Sequence, residues 1–239
     1  MDANELFKAY ESAEIESRQE ATSRLVVKTY LNLTGAVLAF TLIEALIFAY
    51  FGAVSIVQFI SENSRLTGLA LLGLCLGGPF LAHAIFKGTS RASQYGLLAF
   101  YVIMYALIFV PLLALAMLLG NGPGLIWQAC GLTAALFLAL TSVVFMTRKD
   151  FSFLRSALFF AGIAAIILII ASFLFNFTLG TWFSAAMILF ACGFVLYDTS
   201  RLILQSEEGD DVFMAVEIFS SLMTLFYYVL RILMAFNRR

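Results

Sequence analysis

The sequence predicts an all-α protein, a polytopic membrane helix bundle with seven transmembrane helices, and three observations carry that prediction. Of its 239 residues 62% are hydrophobic and only 12% are charged, whereas soluble domains hold ~45–50% apolar residues. The mean hydropathy is +0.98. The apolar residues also gather into runs of the ~20 residues that a hydrocarbon core ~30 Å thick requires, with short polar turns between them.

The chain opens on a polar tail of mixed charge, MDANELFKAYESAEIESRQEATSR at residues 1–24. It lacks an apolar core of signal-peptide length, so no cleavage is expected. Phe7, Tyr10 and Ile15 make a weak amphipathic stripe, and the tail reads as a solvated, partly helical extension. Residues 25–239 form the membrane domain. Its spans are expected at 28–51, 66–86, 96–119, 124–146, 156–178, 181–204 and 212–236. Turn chemistry marks the joints: GNGPG at 120–124 is a tight hairpin and EEGDD at 207–211 a polar turn. Short joints make sequential spans antiparallel neighbours.

Orientation follows from Lys and Arg. Lys8, Arg18, Arg24 and Lys28 in the tail, Lys87 and Arg91 in the second loop, Arg148, Lys149 and Arg155 in the fourth, and Arg201 before the sixth share one side. The first loop holds only Arg65, so the amino terminus is expected in the cytoplasm. Arg238 and Arg239 argue the other way if the last segment spans. Its 25 residues favour a full span.

Cys75, Cys130 and Cys192 lie singly in apolar segments, which fits small packing residues better than a disulfide framework or zinc site. The sequence holds no HExxH, CxxC or phosphate-binding glycine loop, so no metal, cofactor, catalytic residue or nucleic-acid partner is expected. GLCLGG at 73–78 carries a GxxxG pair, Gly73 and Gly77, expected to pack closely within the bundle.

The ionisable residues inside the spans are Glu44, His83, Asp198, Glu217 and Arg231. Such groups face the bundle interior or a wet cavity. Glu44 and His83 are each alone in their helix and are expected to have structural partners. In the last span Glu217, Ser220, Ser221, Thr224, Tyr228 and Arg231 recur at three- and four-residue spacing, a polar stripe that lipid cannot satisfy. This helix is therefore expected at the centre, ringed by the other six. Asp198 and Glu217 fall at nearly the same depth in adjacent helices at ~1.5 Å per residue. Two carboxyls in one dry site do not both ionise cheaply, so one keeps its proton and its titration alters the helix contact. The alternative partner of Asp198 is Ser221, by an interhelical hydrogen bond that acts as packing glue.

The stretch CGFVLYDTSRLI, the acidic turn after it and the final LFYYVLRIL resemble the signature region of the Bax inhibitor family of seven-helix membrane proteins. TRKDFSFL at 147–154 resembles its bacterial branch, which includes the modulator of the membrane-anchored AAA protease FtsH. The resemblance implies a multi-pass protein of the bacterial inner membrane without enzymatic activity, in contact with the lipid bilayer. It implies two alternatives for function. One is a regulator that binds the FtsH protease complex through its helices and tail. The other is a pH-sensitive leak for Ca²⁺ or H⁺, in which aspartates on helices six and seven share a proton. Asp198 takes the first of those positions and Ser221 stands at the second, with Glu217 one turn earlier as a substitute. An acidic partner in helix two is also missing, the register giving Gly77. The absent second aspartate favours the protease modulator, with the leak channel as alternative.

Overall fold

The computed structural model describes residues 3–86, 90–119, 122–175, 177–207 and 209–237, and these form helices joined by short turns. The helices are α1 (Ala3–Phe51), α2 (Ala53–Glu62), α3 (Ser64–Ile85), α4 (Arg91–Leu118), α5 (Pro123–Thr147), α6 (Leu154–Phe175), α7 (Gly180–Leu204) and α8 (Asp211–Asn237). All but α2 contain a stretch long and apolar enough to cross a bilayer, which makes seven candidate spans among the described residues. Lys87, Asn121, Glu208, Arg238 and Arg239 lie outside them, as do the side chains of Tyr10 and Ile15.

α1 runs through the tail without a break and into the first span. Its 49 residues reach ~74 Å at ~1.5 Å per residue, well over twice the ~30 Å core. Gly52 ends it at φ 71, a left-handed conformation that a side chain would strain. The chain then enters α2, which the sequence reading passed over as loop. Ala53, Ile56, Val57 and Ile60 give α2 one half-buried face, which packs chiefly on α4. Ten residues are too few to span, and the helical spacing of those apolar positions was its only signal.

Two boundaries also move. α4 begins at Arg91 because the Ser90 hydroxyl accepts a hydrogen bond from the Ser93 amide at 3.3 Å. α6 stops at Phe175, and Phe177–Leu179 are irregular where 156–178 was expected to be one helix; Thr178 and Gly180 are turn formers. The GNGPG hairpin turns at Gly122, φ 53, and Pro123 starts α5 where a missing N–H costs nothing.

α8 is the most buried span. It is a single unbroken helix, as a full crossing requires, and it packs chiefly on α7, α1, α4 and α5 rather than on all six other spans. α3 leans on α4, and α6 on α7. The outer faces of these peripheral helices carry Leu66, Leu69, Phe80, Phe159, Phe160 and Leu174, all exposed. Lipid solvates such a surface, as in any multi-pass membrane protein. Gly73 and Gly77 are on that outer face with nothing beside them, so the expected GxxxG packing within the bundle is not found. The close approach is one residue on: a Cβ at Gly78 would collide with the Met104 sulfur.

Candidate functional site

α7 buries Ser184, Met187, Ala191, Val195, Asp198 and Leu202 at three- and four-residue spacing. This periodicity turns Asp198 away from lipid and toward α8. Its carboxylate accepts a hydrogen bond from the Ser221 hydroxyl. One turn further along α7, Arg201 Nη1 donates to both carboxylate oxygens of Glu217, at 2.7 and 2.8 Å. Its guanidinium also lies 5.7 Å from the centre of the Phe213 ring, within cation–π range. The antiparallel pair is thus joined by two rungs, Asp198 to Ser221 and Arg201 to Glu217.

The two carboxyls line one cavity, as their matched depth implied, but each has a separate partner. Arg201 neutralises Glu217, so the shared-proton arrangement between Asp198 and Glu217 gives way to the Ser221 alternative. The sequence reading used Arg201 only for orientation. Its place at i+3 from Asp198, on the same helix face, was the signal for its role.

The cavity holds about 270 Å³ between α3, α4, α7 and α8. His83, Tyr101, Tyr197, Asp198, Glu217 and Thr224 supply its polar lining, with Phe190, Phe194 and Phe213 among its apolar walls. His83 stands exposed at the rim and makes no hydrogen bond among the described residues.

Ser220 and Thr224 of the polar stripe are satisfied from α4, by a residue that sequence reasoning missed. The Tyr105 hydroxyl lies 2.6 Å from Ser220 Oγ and 3.5 Å from Thr224 Oγ1, while Thr224 donates to the Ser220 carbonyl at 2.8 Å. Tyr228 is buried with its ring on Phe183, and Arg231 is half-buried. Glu44 breaks the expectation of a partner. It continues the buried face of α1 formed by Leu25, Thr29, Leu33, Ala36 and Phe40, and neither of its carboxyl oxygens finds a hydrogen bond among the described residues. Leu25, Leu33, Ala36 and Phe40 of that face belong to the apolar core of the bundle.

Two polar knots fix the bundle at the end where α7 finishes and α8 begins. Asp211, first residue of α8, accepts from Arg91 at 2.6 Å and from Asn32 at 3.1 Å, tying α8 to α4 and α1. Ser200 accepts from the Phe151 amide at 3.1 Å and donates to the Lys149 carbonyl at 3.2 Å, which clamps the TRKDFSFL loop to α7. Within that loop the Ser152 hydroxyl and amide bond the Asp150 carboxylate, holding it below the usual carboxylate range.

A family model described as Inhibitor of apoptosis-promoting Bax1 matches residues 22–238. An uncharacterized membrane protein of Vibrio cholerae is 34% identical over 132 residues, 53% of this chain and 57% of that protein. The Golgi anti-apoptotic protein of vaccinia virus strain Lister is 34% identical over 116 residues, 48% of each chain. Protein lifeguard 4 of Mus musculus is 29% identical over 216 residues, 89% of this chain and 85% of that one. The chain therefore spans about half the length of the first two relatives and most of the third.

Proposed function

This chain belongs to the Bax inhibitor family, and on that premise we propose that it is a regulated leak for protons or Ca²⁺ in a bacterial inner membrane, with its amino terminus in the cytoplasm. Asp198 is the ion-responsive group, and its bond to Ser221 holds the path shut. One observation carries this reading: a carboxyl only 4% exposed lines a cavity within the span and is tied to the next helix by a single neutral hydroxyl. Intramembrane carboxyls in such cavities mark ion and proton routes. The protein would have no bond-making chemistry of its own.

The test is ion flux into liposomes containing the purified protein, measured with Ca²⁺- and pH-sensitive dyes. An interhelical hydrogen bond contributes about 0.6 to 2 kcal/mol, so opening the latch should change flux about three- to thirtyfold. Asp198→Asn keeps the shape and a hydrogen bond but cannot titrate. Its flux should be the same at every pH, while wild-type flux varies. A variant that keeps the wild-type pH profile would overturn the assignment.

Regulation of the FtsH protease is the second reading, favoured by two observations: α1 extends as a helix far beyond the membrane core, and Ser221 stands where a second aspartate would complete the sensor. An AAA protease needs an exposed segment to grip. Deleting residues 2–20 should leave insertion intact and alter the protein's half-life in cells that contain the protease. The same half-life with and without the protease would count against it.

A further inference from the structure

Away from the ion site, the fold opens a groove of about 380 Å³ where α1 passes the ends of α5 and α7. Its upper part presents the guanidinium groups of Arg18 and Arg148 with the hydroxyls of Thr22 and Ser23. Its floor is apolar, formed by Val26, Phe145, Ile203 and Leu204. Among the described residues no carboxylate lines it.

Both cations can take up an anion. Arg148 has no ion pair among the described residues. Arg18 pairs with Glu14 one turn back at 2.9 Å, but both side chains are more than half exposed, and exposed pairs of this spacing hold weakly. Arg148 is also the one non-glycine residue with a positive φ among those described, at 46. It closes α5 through a bond from its amide to the Val144 carbonyl at 2.8 Å. Glycine or asparagine usually occupies that left-handed position; here it carries a guanidinium into the groove.

The level of the groove identifies the ligand. α5 ends at Thr147 and α7 at Leu204, and the apolar part of α1 begins at Leu25, so the polar half lies at the membrane surface and the apolar half at the top of the hydrocarbon. A free phosphate would satisfy only the upper half. We propose that this groove binds an anionic phospholipid, its phosphate held between Arg18 and Arg148 and its upper acyl chain lying along Val26, Phe145 and Leu204. Arginine forks suit phosphate oxygens, and basic pockets between helices at the membrane surface take such headgroups.

Native mass spectrometry of the full chain in neutral detergent tests this, with phosphatidylglycerol and phosphatidylcholine of matched acyl chains and glycerol phosphate as the headgroup alone. Phosphatidylglycerol should be retained in preference to phosphatidylcholine. At about 1 kcal/mol per cation, Arg18→Ala and Arg148→Gly should each weaken it about fivefold, and the double variant about thirtyfold. Glycine suits the left-handed turn, so Arg148→Gly removes the charge without endangering the fold. Lys28→Ala, an exposed cation outside the groove, should change nothing. Equal retention of the two lipids, or a preference that survives the double variant, would overturn the proposal. So would glycerol phosphate competing as well as the lipid, which would reveal a site for soluble phosphate alone.

Discussion

Arg91→Ala should destabilise the folded bundle, because it takes the charged partner from a buried carboxylate. Asp211 has a side chain only 4% exposed, against 52% for Arg91. Removing the arginine leaves a carboxylate with Asn32 as its single side-chain partner among the described residues. Asp211→Asn should be far milder, because the freed guanidinium already reaches water. The double variant should recover most of the loss. Unfolding of the detergent-solubilised protein by denaturant would measure all three. Equal costs for the two single variants would contradict this asymmetry.

Arg201→Ala should cost about 2 kcal/mol, less than a fully buried pair because its side chain and that of Glu217 are 33% and 25% exposed. Glu217→Gln keeps an acceptor for the guanidinium and should cost under about 1 kcal/mol. Replacing both with Met should come within about 1 kcal/mol of wild type, since the apolar pair needs no desolvation of charge. The two Met substitutions must then be strongly non-additive. Additive costs would mean that the α7–α8 ion pair is not the unit described.

The spans were legible because membrane burial acts on continuous runs of residues, and the stripe on α8 was legible because helical periodicity assigns a face. Asp198 and Ser221 followed from that stripe and from matched depth. Periodicity does not say which helix a face meets. Tyr105 is 115 residues from Ser220, and Asn32 is 179 from Asp211; each looks unremarkable until α4 and α1 are packed beside α8. Arg201 was visible, but it was assigned to the membrane surface by its charge. Glu44 was misread for a related reason, since a charged residue within a span implies a partner only when the facing helices carry one. α2 escaped because its 10 residues are too few for a span and amphipathic only on close inspection.

If the Asp198–Ser221 bond is a titratable latch, protonation should change how α7 and α8 sit against each other. The short connection at 205–210 tethers one end of this helix pair, so any loosening should be greatest at the free ends. Spin labels at Trp182 on α7 and Phe236 on α8, exposed by 90% and 61%, report that separation without touching the site. In lipid bilayers titrated between about pH 5 and 8, the window in which a cell's proton signals fall, the wild-type distance distribution should shift and that of Asp198→Asn should stay constant. A wild-type distribution that is flat across this range, or an Asn variant that shifts with it, would contradict the latch.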